Sequence, residues 1–504
     1  MIYNGETERK AVDELYDYVI IGSGAAGATA ARVLADTGAS IAVVEEGPHV
    51  DTKEFGDKFF EANRRMFRNM GGTLARGRAF IPIVQGSCLG GSTVINSAII
   101  WRIPDDVWQP WRDEYGLGDA LPLDRFHEYW DLIESELNIH PVNQDVWGEH
   151  NRLMHVGAET LGVSAHPIRR NERGCRGSAR CLTGCPHGAK QSMLVSYLPY
   201  ARERGAVLYT SARVDKVVVK NGRAEAVTGH FHVPVFKKNI APFTLRARKA
   251  VILAASAIQT PGVLARSGVK SPHLGKHFQA HPGTPLIGVW DQKVNMWFGA
   301  TQGFDADHHR VDERYKIETI SFPPEVAFVR QPGVGRAWQQ NMVETEYTAT
   351  WAVQMRAHAK GTVRKGLLPG MGTDVKYDLT AQDMVNVRKG LRFTAELMFA
   401  AGAREVMLGI PGLPERLRSV DEVHLLEHGP DNPAAYSWIM SHLFGTARMS
   451  NRPGDGVVGP DFAVHGTENF YVVDSSVFPT NMGVNPQHAI MGVAMHAARG
   501  IAGQ

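Results

Sequence analysis

The stretch DYVIIGSGAAGATAARVLADTGASIAVVEEGP, residues 17–48, carries the pattern that decides the fold. It begins with an apolar strand, turns at Gly22-x-Gly24-x-x-Gly27 and continues into an alanine-rich helix. A second apolar strand follows and ends at Glu45. This order of strand, glycine turn, helix, strand and acid is typical of a dinucleotide-binding βαβ unit.

The small residues of this turn suit close contact with a pyrophosphate. They let the backbone approach the phosphates, while the helix start offers N–H groups and a positive dipole. Glu45, about 20 residues further on, is placed for a ribose hydroxyl. We expect FAD as the only nucleotide, because no second fingerprint follows and no arginine suited to a 2′-phosphate comes after the acid. The predicted contacts are Gly22, Gly24, Ala25, Ala26, Gly27 and Glu45.

Overall charge gives no sign of a polyanionic partner. The chain has 504 residues, with 54 Lys and Arg against 52 Asp and Glu, so its formal charge is only +2. We therefore expect no nucleic-acid partner. No apolar run reaches the roughly 18 residues of a spanning helix, and the N-terminus lacks a secretory pattern, so we expect a cytoplasmic protein without a membrane span.

The order of elements predicts an α/β fold in which the nucleotide domain is split in sequence. Strand and helix patterns alternate at both ends of the chain, and a more mixed region lies between them. Strand-like pieces of that region are 287–291, 317–321 and 349–355. The predicted parts are a first nucleotide-binding part at 1–285, a substrate-binding domain at 286–434 and a second nucleotide-binding part at 435–504.

Four further stretches extend the pattern nearly end to end. They are QGSCLGGSTVINSAIIWRIPDDVW (85–108), VILAASAIQTPGVLARSGV (251–269), HLFGTARM (442–449) and YVVDSSVFPTNMGVNPQHAIMGVAMHAARGI (471–501). With the N-terminal unit, they make the chain resemble the glucose–methanol–choline (GMC) oxidoreductases. The resemblance implies a Rossmann-like FAD-binding domain split in sequence and an α+β substrate-binding domain on a mostly antiparallel sheet.

The resemblance also implies further FAD contacts. The glycine loop would let the backbone approach the flavin, Asn96 would meet the edge of its ring, and Val214 would lie near the adenine. The implied contacts outside the first unit are Gly90, Gly91, Ser92, Asn96, Val214, Asp474, Asn485, Pro486 and Gln487. Two positions depart from the family pattern. Ser256 replaces a signature glycine, and in HFQAHP (277–282), which resembles a further family motif, Ala280 replaces an acid.

The C-terminal segment also has a physical interpretation of its own. A short apolar strand ends at Asp474, where strand ends meet a cofactor crevice in such folds. A helical pattern follows, with Asn485 predicted as its N-cap and Pro486 as its first residue. The positive end of such a helix would stabilise negative charge on a reduced flavin.

His442 and Asn485 are the predicted catalytic pair. Oxidation of an alcohol removes a hydroxyl proton and a hydride, and histidine suits the first task because its ordinary pKa lies near working pH. The resemblance implies that His442 is the general base and that Asn485 orients the substrate oxygen. The alternative for Asn485 is that it only caps its helix, and any one of the 21 histidines is by default a surface or core group.

The segment GCRGSARCLTGCPHGAK, 174–190, holds three of the four cysteines. Its C-x3-C-P ending is also part of a bacterial ferredoxin pattern. The segment resembles that of GMC dehydrogenases with a [3Fe–4S] cluster, which would make Cys175, Cys181 and Cys185 iron ligands. A zinc site with His187, free buried thiols and a disulfide are the alternatives. The fourth cysteine, Cys88, is predicted to be a packing residue.

Five arginines accompany the cysteines. A solvated basic loop, compensation of thiolate charge and a docking patch for an acidic redox protein are the alternatives. The five are Arg169, Arg170, Arg173, Arg176 and Arg180.

Together these features predict an FAD-dependent alcohol dehydrogenase that passes electrons through an iron–sulfur cluster to an external acceptor. The alternatives are an oxidase that returns electrons to O₂ and a lyase of the hydroxynitrile type with redox-silent FAD. Sugars, aminoglycoside-like cyclitols, aromatic primary alcohols and steroids remain open as substrates. Candidate pocket residues are Trp297, Phe298, Phe322 and Trp351.

Overall fold

The glycine turn lies between neighbouring parallel strands, as its sequence predicts. In the computed structural model, which describes residues 1–233, 238–366 and 372–503, β2 (Val12–Ile21) leads into α1 (Ala25–Ala35) and then into β3 (Ile41–Val44). The two strands pair in parallel with Tyr18 opposite Ile41. Both are buried where they pair, so their near-continuous apolar sequences fit a sheet that is covered on both faces.

The first sheet assembles strands from distant parts of the chain. Its hydrogen-bonded order over the described residues is β1 (Ile2–Asn4), β9 (Val207–Thr210), β3, β2, β12 (Lys238–Leu253), β11 (Arg223–Val233) and β10 (Ala212–Lys220). The C-terminal strand β22 (Phe470–Val472) pairs in parallel with the end of β12. The contacts among β1, β9, β3, β2 and β12 are parallel, while β12, β11 and β10 form an antiparallel meander.

The second sheet is antiparallel at each of its pairings in the described residues. Its order is β20 (Arg416–Leu417), β19 (Glu405–Met407), β13 (Gln279–Val289), β16 (Thr348–Met355), β15 (Tyr315–Ile320), β14 (Phe304–Ala306) and β7 (His166–Pro167), and β21 (Ile439–Phe444) also pairs with β13. The predicted α/β fold with a second, mostly antiparallel sheet is therefore confirmed. The domain limits at 286 and 434 stay a prediction, and β13 itself runs across residue 286.

Two smaller sheets complete the strand pairings of the described residues. One has the order β17 (Thr362–Lys365), β18 (Thr373–Lys376), β4 (Leu74–Arg76) and β5 (Phe80–Pro82), and the other pairs β6 (Ile139–Pro141) with β8 (Arg169–Asn171). The helices after α1 are α2 (Phe59–Met66), α3 (Asp105–Asp113), α4 (Leu123–Glu136), α5 (Glu149–Leu161), α6 (Tyr197–Glu203), α7 (Ser256–Arg266), α8 (Pro324–Val329), α9 (Arg336–Val343), α10 (Ala381–Ala400) and α11 (Gln487–Ala502).

Each large sheet carries its own apolar core. The first core gathers the buried residues of the parallel strands with α1, α4 and α11, and the second joins the antiparallel sheet to α5 and α10. Among the described residues, no helix is both long enough and apolar enough to cross a bilayer.

Two buried histidines make the fold sensitive to acid. His150 and His488 are fully buried, and burial lowers the pKa of His150 to about 4 and that of His488 to about 3. Both pKa values lie below that of an unfolded histidine, about 6.5, so the unfolded state binds protons first as the pH falls. The resulting contribution to stability is complete above pH 6.5 and is lost progressively below it.

We expect the free energy of unfolding to fall by about 2 kcal/mol per histidine between pH 7 and pH 5. Urea unfolding at both pH values measures this loss. The variant His150→Gln should show a smaller pH dependence than the parent, while replacement of the exposed His428 should leave it unchanged. An identical pH dependence in the parent and His150→Gln would contradict the assignment.

Candidate active site

The turn between β2 and α1 is built so that backbone, not side chains, faces a ligand. Gly22 has a positive φ of 100°, and a Cβ on Gly27 would lie 1.9 Å from the Gly22 carbonyl oxygen. A Cβ on Gly24 would meet no atom within 4 Å. Gly24 precedes the first turn of α1 and borders a cavity of about 1980 Å³. The helix start is therefore open to a phosphate group.

Glu45 follows β3 at the wall of the same cavity. Its carboxylate accepts hydrogen bonds from the backbone N–H and hydroxyl of Ser23, at 3.1 and 2.6 Å, and from the N–H of Gly47 at 2.9 Å. Burial raises the pKa of Glu45, and these donors oppose the rise. Because a carboxylate oxygen accepts more than one hydrogen bond, a ribose contact at Glu45 stays compatible with these bonds.

The second glycine loop packs directly on the first. A Cβ on Gly91 would lie 2.9 Å from Gly24 Cα, and the N–H of Gly90 donates to Ser23 Oγ at 2.9 Å. Asn96, at the end of this loop, donates through Nδ2 to Gln487 Oε1 at 2.7 Å. The two glycine loops and the start of α11 thus form a continuous wall.

Asp474 connects the end of β22 to the start of α7. Its carboxylate accepts from the Ser256 N–H at 3.0 Å, from the Thr260 hydroxyl at 2.6 Å and from the Ser476 N–H at 2.8 Å. Burial raises the pKa of Asp474, while these hydrogen bonds favour its ionised form. Ser256 has a φ of +81°, a conformation that glycine adopts readily, which explains why the family pattern has glycine there.

One cavity of about 1980 Å³ brings the predicted site residues together. It runs from the N-terminal glycine turn to His442 and Asn485. Gly27 and Gly90 lie behind the wall, where they allow close packing, and the remaining predicted FAD contacts border the cavity. These are Gly22, Gly24, Ala25, Ala26, Glu45, Gly91, Ser92, Asn96, Val214, Asp474, Asn485, Pro486 and Gln487.

His442 lies against a second histidine, His281. The two residues come from neighbouring strands β21 and β13, at a shift in their register between Ala280 and Pro282. The Nδ1 atoms of the two rings are 3.2 Å apart, and the Gly483 N–H donates to His281 Nε2 at 2.8 Å. Burial lowers the pKa of His442 to about 4, and the nearby Lys316 adds to this while Glu318 opposes it. His442 is therefore neutral near pH 7.

Asn485 does not cap its helix. The helix α11 begins at Gln487 with Pro486 as its N-cap, so the predicted cap at Asn485 was wrong by one residue. The Asn485 side chain instead points to a buried charge, because its Oδ1 accepts from Lys316 Nζ at 3.0 Å. Its amide also forms a hydrogen bond with Glu318 that lowers the pKa of that carboxyl. Asn485 is thus held by charged groups on both sides of its amide.

Lys316 belongs to a buried ion cluster below the cavity. Its ammonium group donates to Glu318 at 2.5 Å and to Asp305 at 3.1 Å, and it is completely inaccessible to solvent. Burial opposes the charge on Lys316, but the two carboxylates raise its pKa. Burial raises the pKa of Asp305 to about 6 despite the lysine. A buried ammonium ion of this kind persists only with such partners.

His281, Lys316, Glu318 and Asp305 were not among the residues predicted from sequence. A signal existed for two of them, because Lys316 and Glu318 are charges two residues apart in the predicted strand near 317–321 and therefore share one face. His281 belongs to the family-like stretch HFQAHP (277–282), although no role was predicted for it, and Asp305 is brought in only by the pairing of β14 with β15. Of the predicted pocket aromatics, Phe322 borders the cavity.

Trp351 is fully buried against Trp290, and Phe298 is exposed. Trp297 contacts Phe328. Among the described residues, the lining of the large cavity does not include Trp297, Phe298 or Trp351. The aromatic pocket predicted from sequence is therefore reduced to Phe322.

The three clustered cysteines border a small cavity of about 10 Å³, roughly the space of one water. All four cysteines are free thiols, so the predicted alternative of a disulfide was wrong for this structure. Among the described residues, no three His, Cys, Asp or Glu side chains are arranged as a metal site. The arrangement of the thiols therefore gives no support to an iron–sulfur cluster or a zinc ion, and the cluster stays a prediction.

Two buried cations face the cysteines instead. Arg170 donates to Cys181 Sγ at 3.3 Å, and Lys190 Nζ donates to Cys181 O at 2.8 Å. Burial opposes ionisation of Cys181, but Arg170 and Lys190 together lower its pKa. Burial lowers the pKa of Lys190 to about 8. This supports the interpretation of Arg170 as a residue that compensates thiolate charge.

Arg170 is only 1% exposed, so it does not belong to a solvated basic loop. Arg169 and Arg180 form ion pairs with Glu134 and Asp57. Arg170 therefore cannot be part of a docking patch. A patch formed by the exposed arginines stays a prediction.

Comparison with known proteins places these features in one family. The family model described as GMC oxidoreductase matches residues 16–283 with its N-terminal part and 357–494 with its C-terminal part. The chain is 34% identical to an uncharacterized GMC-type oxidoreductase of Mycobacterium tuberculosis, over 96% of this chain and 75% of the relative. It is 31% identical to a GMC-type oxidoreductase of Sinorhizobium fredii, over 96% and 94%.

More distant matches carry named reactions. The chain is 26% identical to a long-chain-alcohol oxidase of Arabidopsis thaliana, over 95% of this chain and 66% of that relative. Its fold is similar to those of pyridoxine 4-oxidase from Mesorbium loti, with a TM-score of 0.70, 18% identity and 97% and 99% of the two chains covered. The fold is also similar to that of a formate oxidase of Aspergillus oryzae, with a TM-score of 0.73 and 16% sequence identity. The match covers 98% of this chain and 99% of the formate oxidase chain.

Two glycine substitutions separate cofactor contact from folding. We expect Gly24→Ala to leave the thermal stability of the cofactor-free protein unchanged, because its Cβ meets no protein atom, and to weaken FAD retention at least tenfold. Gly27→Ala should destabilise the protein by about 3 kcal/mol, because its Cβ would overlap the Gly22 carbonyl. Flavin content after gel filtration and thermal melting measure the two effects. Full FAD retention in Gly24→Ala would contradict this placement of the cofactor.

The cysteines as placed predict free thiols. We expect anaerobically purified protein to carry far less than one iron per chain and to titrate four thiols on unfolding. Cys181→Ser should destabilise the fold by about 2 kcal/mol, because it weakens the partner of buried Arg170. About three irons per chain that are lost in Cys181→Ser and kept in the matched variant Cys88→Ser would restore the cluster hypothesis.

Proposed function

The chain belongs to the GMC oxidoreductase family, and on that basis we propose that it uses FAD to oxidise an alcohol to an aldehyde or ketone. One observation carries the proposal. A single cavity of about 1980 Å³ joins the glycine turns of a dinucleotide site to the pair His442 and Asn485. Pockets of this kind, with few convergent polar groups, are the usual form of a cofactor and substrate site.

The residues of the cavity fit FAD. No protein atom fills the space that a Cβ on Gly24 would point into, so a ligand has room there, and the start of α1 is open. Glu45 follows the second strand of the βαβ unit, which is where such folds hold a ribose. The second glycine loop and the start of α11 would hold the other end of the cofactor. When bound, FAD supplies the acceptor for the hydride that leaves the alcohol carbon.

His442 and Asn485 would hold the alcohol oxygen. The Nδ1 atom of His442 is taken by His281, so Nε2 is the ring nitrogen left for a ligand. The Asn485 amide borders the same cavity and is immobilised by Lys316 and Glu318. Two fixed polar groups orient a hydroxyl group more sharply than one. Removal of the hydroxyl proton by His442, which the family resemblance implies, stays a prediction.

We propose an alcohol with an apolar body as the substrate. Part of the cavity wall consists of apolar side chains that would bury hydrocarbon, and charged side chains such as Arg76, Arg330 and Lys365 border it as well. The apolar residues are Phe59, Phe67, Leu74, Phe80, Ile320, Phe322, Val326 and Ile439. The match to a long-chain-alcohol oxidase supports this choice. Among the substrates that the sequence left open, aromatic alcohols and steroids fit it better than sugars or cyclitols.

The electron acceptor is proposed to be external. Several relatives whose names state a reaction are oxidases, which favours the alternative in which O₂ takes the electrons. The arrangement of the cysteines gives no support to a cluster as a relay. A lyase reaction with redox-silent FAD is the remaining alternative, and it differs because its flavin would stay oxidised.

Anaerobic addition of a long-chain primary alcohol should bleach the flavin band of the purified holoenzyme. We expect His442→Ala to slow this reduction by about a hundredfold or more, because the alcohol oxygen loses a fixed partner, while FAD content stays unchanged. The exposed His428→Ala is the matched control and should keep the rate of the parent. A parent enzyme that leaves its flavin oxidised with alcohols but splits a cyanohydrin into an aldehyde and cyanide would be a lyase instead.

A panel of alcohols tests the substrate class. We expect dodecanol, benzyl alcohol and cholesterol to reduce the flavin at lower concentrations than glucose or a cyclitol, because apolar walls gain about 25 cal/mol for each Å² that they cover. Stopped-flow reduction at several concentrations gives the comparison. Faster reduction by a sugar at equal concentration would contradict an apolar substrate.

A further inference from the structure

One face of the small sheet that contains β4 and β5 borders the large cavity. Side chains alternate along these two strands, and Ala75 and Ile81 are buried on one face. Leu74, Arg76 and Phe80 lie on the opposite face and border the cavity. Phe80 is nevertheless 72% exposed and Leu74 is 47% exposed. The cavity therefore opens to solvent along this face.

Two helices meet beside the same opening. The Phe59 N–H at the start of α2 donates to Glu325 in α8 at 2.9 Å. Phe59 and Val326 border the cavity. Phe60, the next residue of α2, is 68% exposed, and Val329, three residues after Val326 in α8, is 71% exposed. Each helix thus presents an apolar side chain to solvent near the opening.

Met70 adds a fifth exposed apolar side chain. It lies in the segment that joins α2 to β4, and its neighbours Gly71 and Gly72 border the cavity. Single exposed apolar residues are common on protein surfaces, whereas a group around one opening marks an interaction surface. We call this group the apolar rim. Its members are Phe60, Met70, Leu74, Phe80 and Val329.

The charge around the apolar rim is positive. Three nearby carboxylates are paired with arginines, and a fourth, that of Glu325, accepts the Phe59 N–H. The ion pairs are Glu54–Arg65, Glu61–Arg64 and Asp374–Arg76, with N···O distances of 2.7, 3.0 and 2.6 Å. Three further cations are exposed and take part in none of the ion pairs of the described residues. They are Lys58, Arg364 and Lys365.

These cations lie on the same elements as the apolar rim. Lys58 directly precedes α2, and Arg364 and Lys365 belong to β17 of the small sheet and border the cavity. Basic groups beside exposed apolar side chains are the combination that binds the headgroup and acyl regions of an anionic bilayer.

We propose that the apolar rim and its neighbouring cations dock the protein on a lipid bilayer with anionic headgroups, so that an apolar alcohol passes from the bilayer into the cavity. The passage of an alcohol rests on the proposed function, while the docking does not. The rim side chains enter the boundary between headgroups and acyl chains, and Lys58 and Lys365 contact the anionic headgroups.

A bilayer fits this surface better than a second copy of the chain. Two copies that met through the rim would bring the same exposed cations together, and like charges repel. An apolar alcohol also partitions into lipid rather than water. An opening that faces the bilayer lets it reach the apolar part of the cavity wall without crossing solvent.

Co-sedimentation of the FAD-loaded protein with vesicles tests the docking. One preparation is phosphatidylcholine alone, and the other is phosphatidylcholine with phosphatidylglycerol at about three to one. We expect about tenfold tighter binding to the mixed vesicles, which weakens at high salt because exposed charges are screened. Absence of binding to either preparation, or equal binding to both, overturns the proposal.

Two double variants separate the apolar rim from exposed apolar residues in general. In the described part of the chain, the cavity lining includes neither Phe60 nor Val329. We expect Phe60→Ser/Val329→Ser to keep the thermal stability of the parent and to bind the mixed vesicles about tenfold more weakly. The matched control Leu161→Ser/Val420→Ser removes two exposed apolar side chains elsewhere and should bind as the parent does. Equal binding by the two double variants overturns the proposal.

A charge variant and a mass measurement test the choice of occupant. Lys58→Glu/Lys365→Glu should bind the mixed vesicles about tenfold more weakly than the parent at low salt. Undiminished binding by this variant overturns the proposal. Light scattering of the parent without lipid gives its mass, and a dimer that Phe60→Ser/Val329→Ser cannot form would replace the bilayer by a second copy of the chain.

The route of the alcohol is tested by the way in which it is delivered. With benzyl alcohol in water, the parent and Phe60→Ser/Val329→Ser should reduce their flavin at the same rate. With dodecanol carried in mixed vesicles, we expect the variant to be about tenfold slower. Equal rates with vesicle-borne dodecanol overturn the proposed route. If no alcohol reduces the flavin, the proposed function fails, whereas vesicle binding involves no turnover and still decides the docking.

Discussion

A buried ammonium group holds the two halves of the candidate site together. Lys316 lies on the second, antiparallel sheet, yet it donates to Asn485 in the C-terminal segment that follows the first sheet. An uncompensated charge in this position would cost several kcal/mol, so Asp305 and Glu318 must stay close to it. The position of Asn485 therefore depends on the packing of one sheet against the other.

The nucleotide side of the cavity depends on close backbone contacts. Gly24 and Gly91 come from loops almost seventy residues apart in sequence, and a Cβ on Gly91 would overlap Gly24 Cα at 2.9 Å. Asp474 adds a third segment by accepting from the start of α7. Small residues let these segments pack closely, and the buried carboxylate of Asp474 holds them together through its hydrogen bonds.

The cysteine segment is connected to the second glycine loop through Lys190, and its Leu182 borders the large cavity. Lys190 donates to the carbonyl oxygens of Val94 and Asn96, at 2.6 and 2.8 Å, and to that of Cys181 at 2.8 Å. A charge placed among three carbonyl groups restrains both loops at once. Changes at Cys181 can thus reach the second glycine loop through Lys190 even when the cysteines bind no metal.

The sequence alone determined the βαβ unit, the α/β architecture, the family and the pairing of His442 with Asn485 at one cavity. These follow from local patterns, because glycine spacing, apolar strands and short motifs are read along the chain. Only the tertiary structure decided which neighbours set their chemistry. His281, Gly483 and Asp305 are remote in sequence, and strand pairing and burial bring them to His442 and Lys316. Proton positions and buried charge are properties of such contacts, so no local pattern contains them.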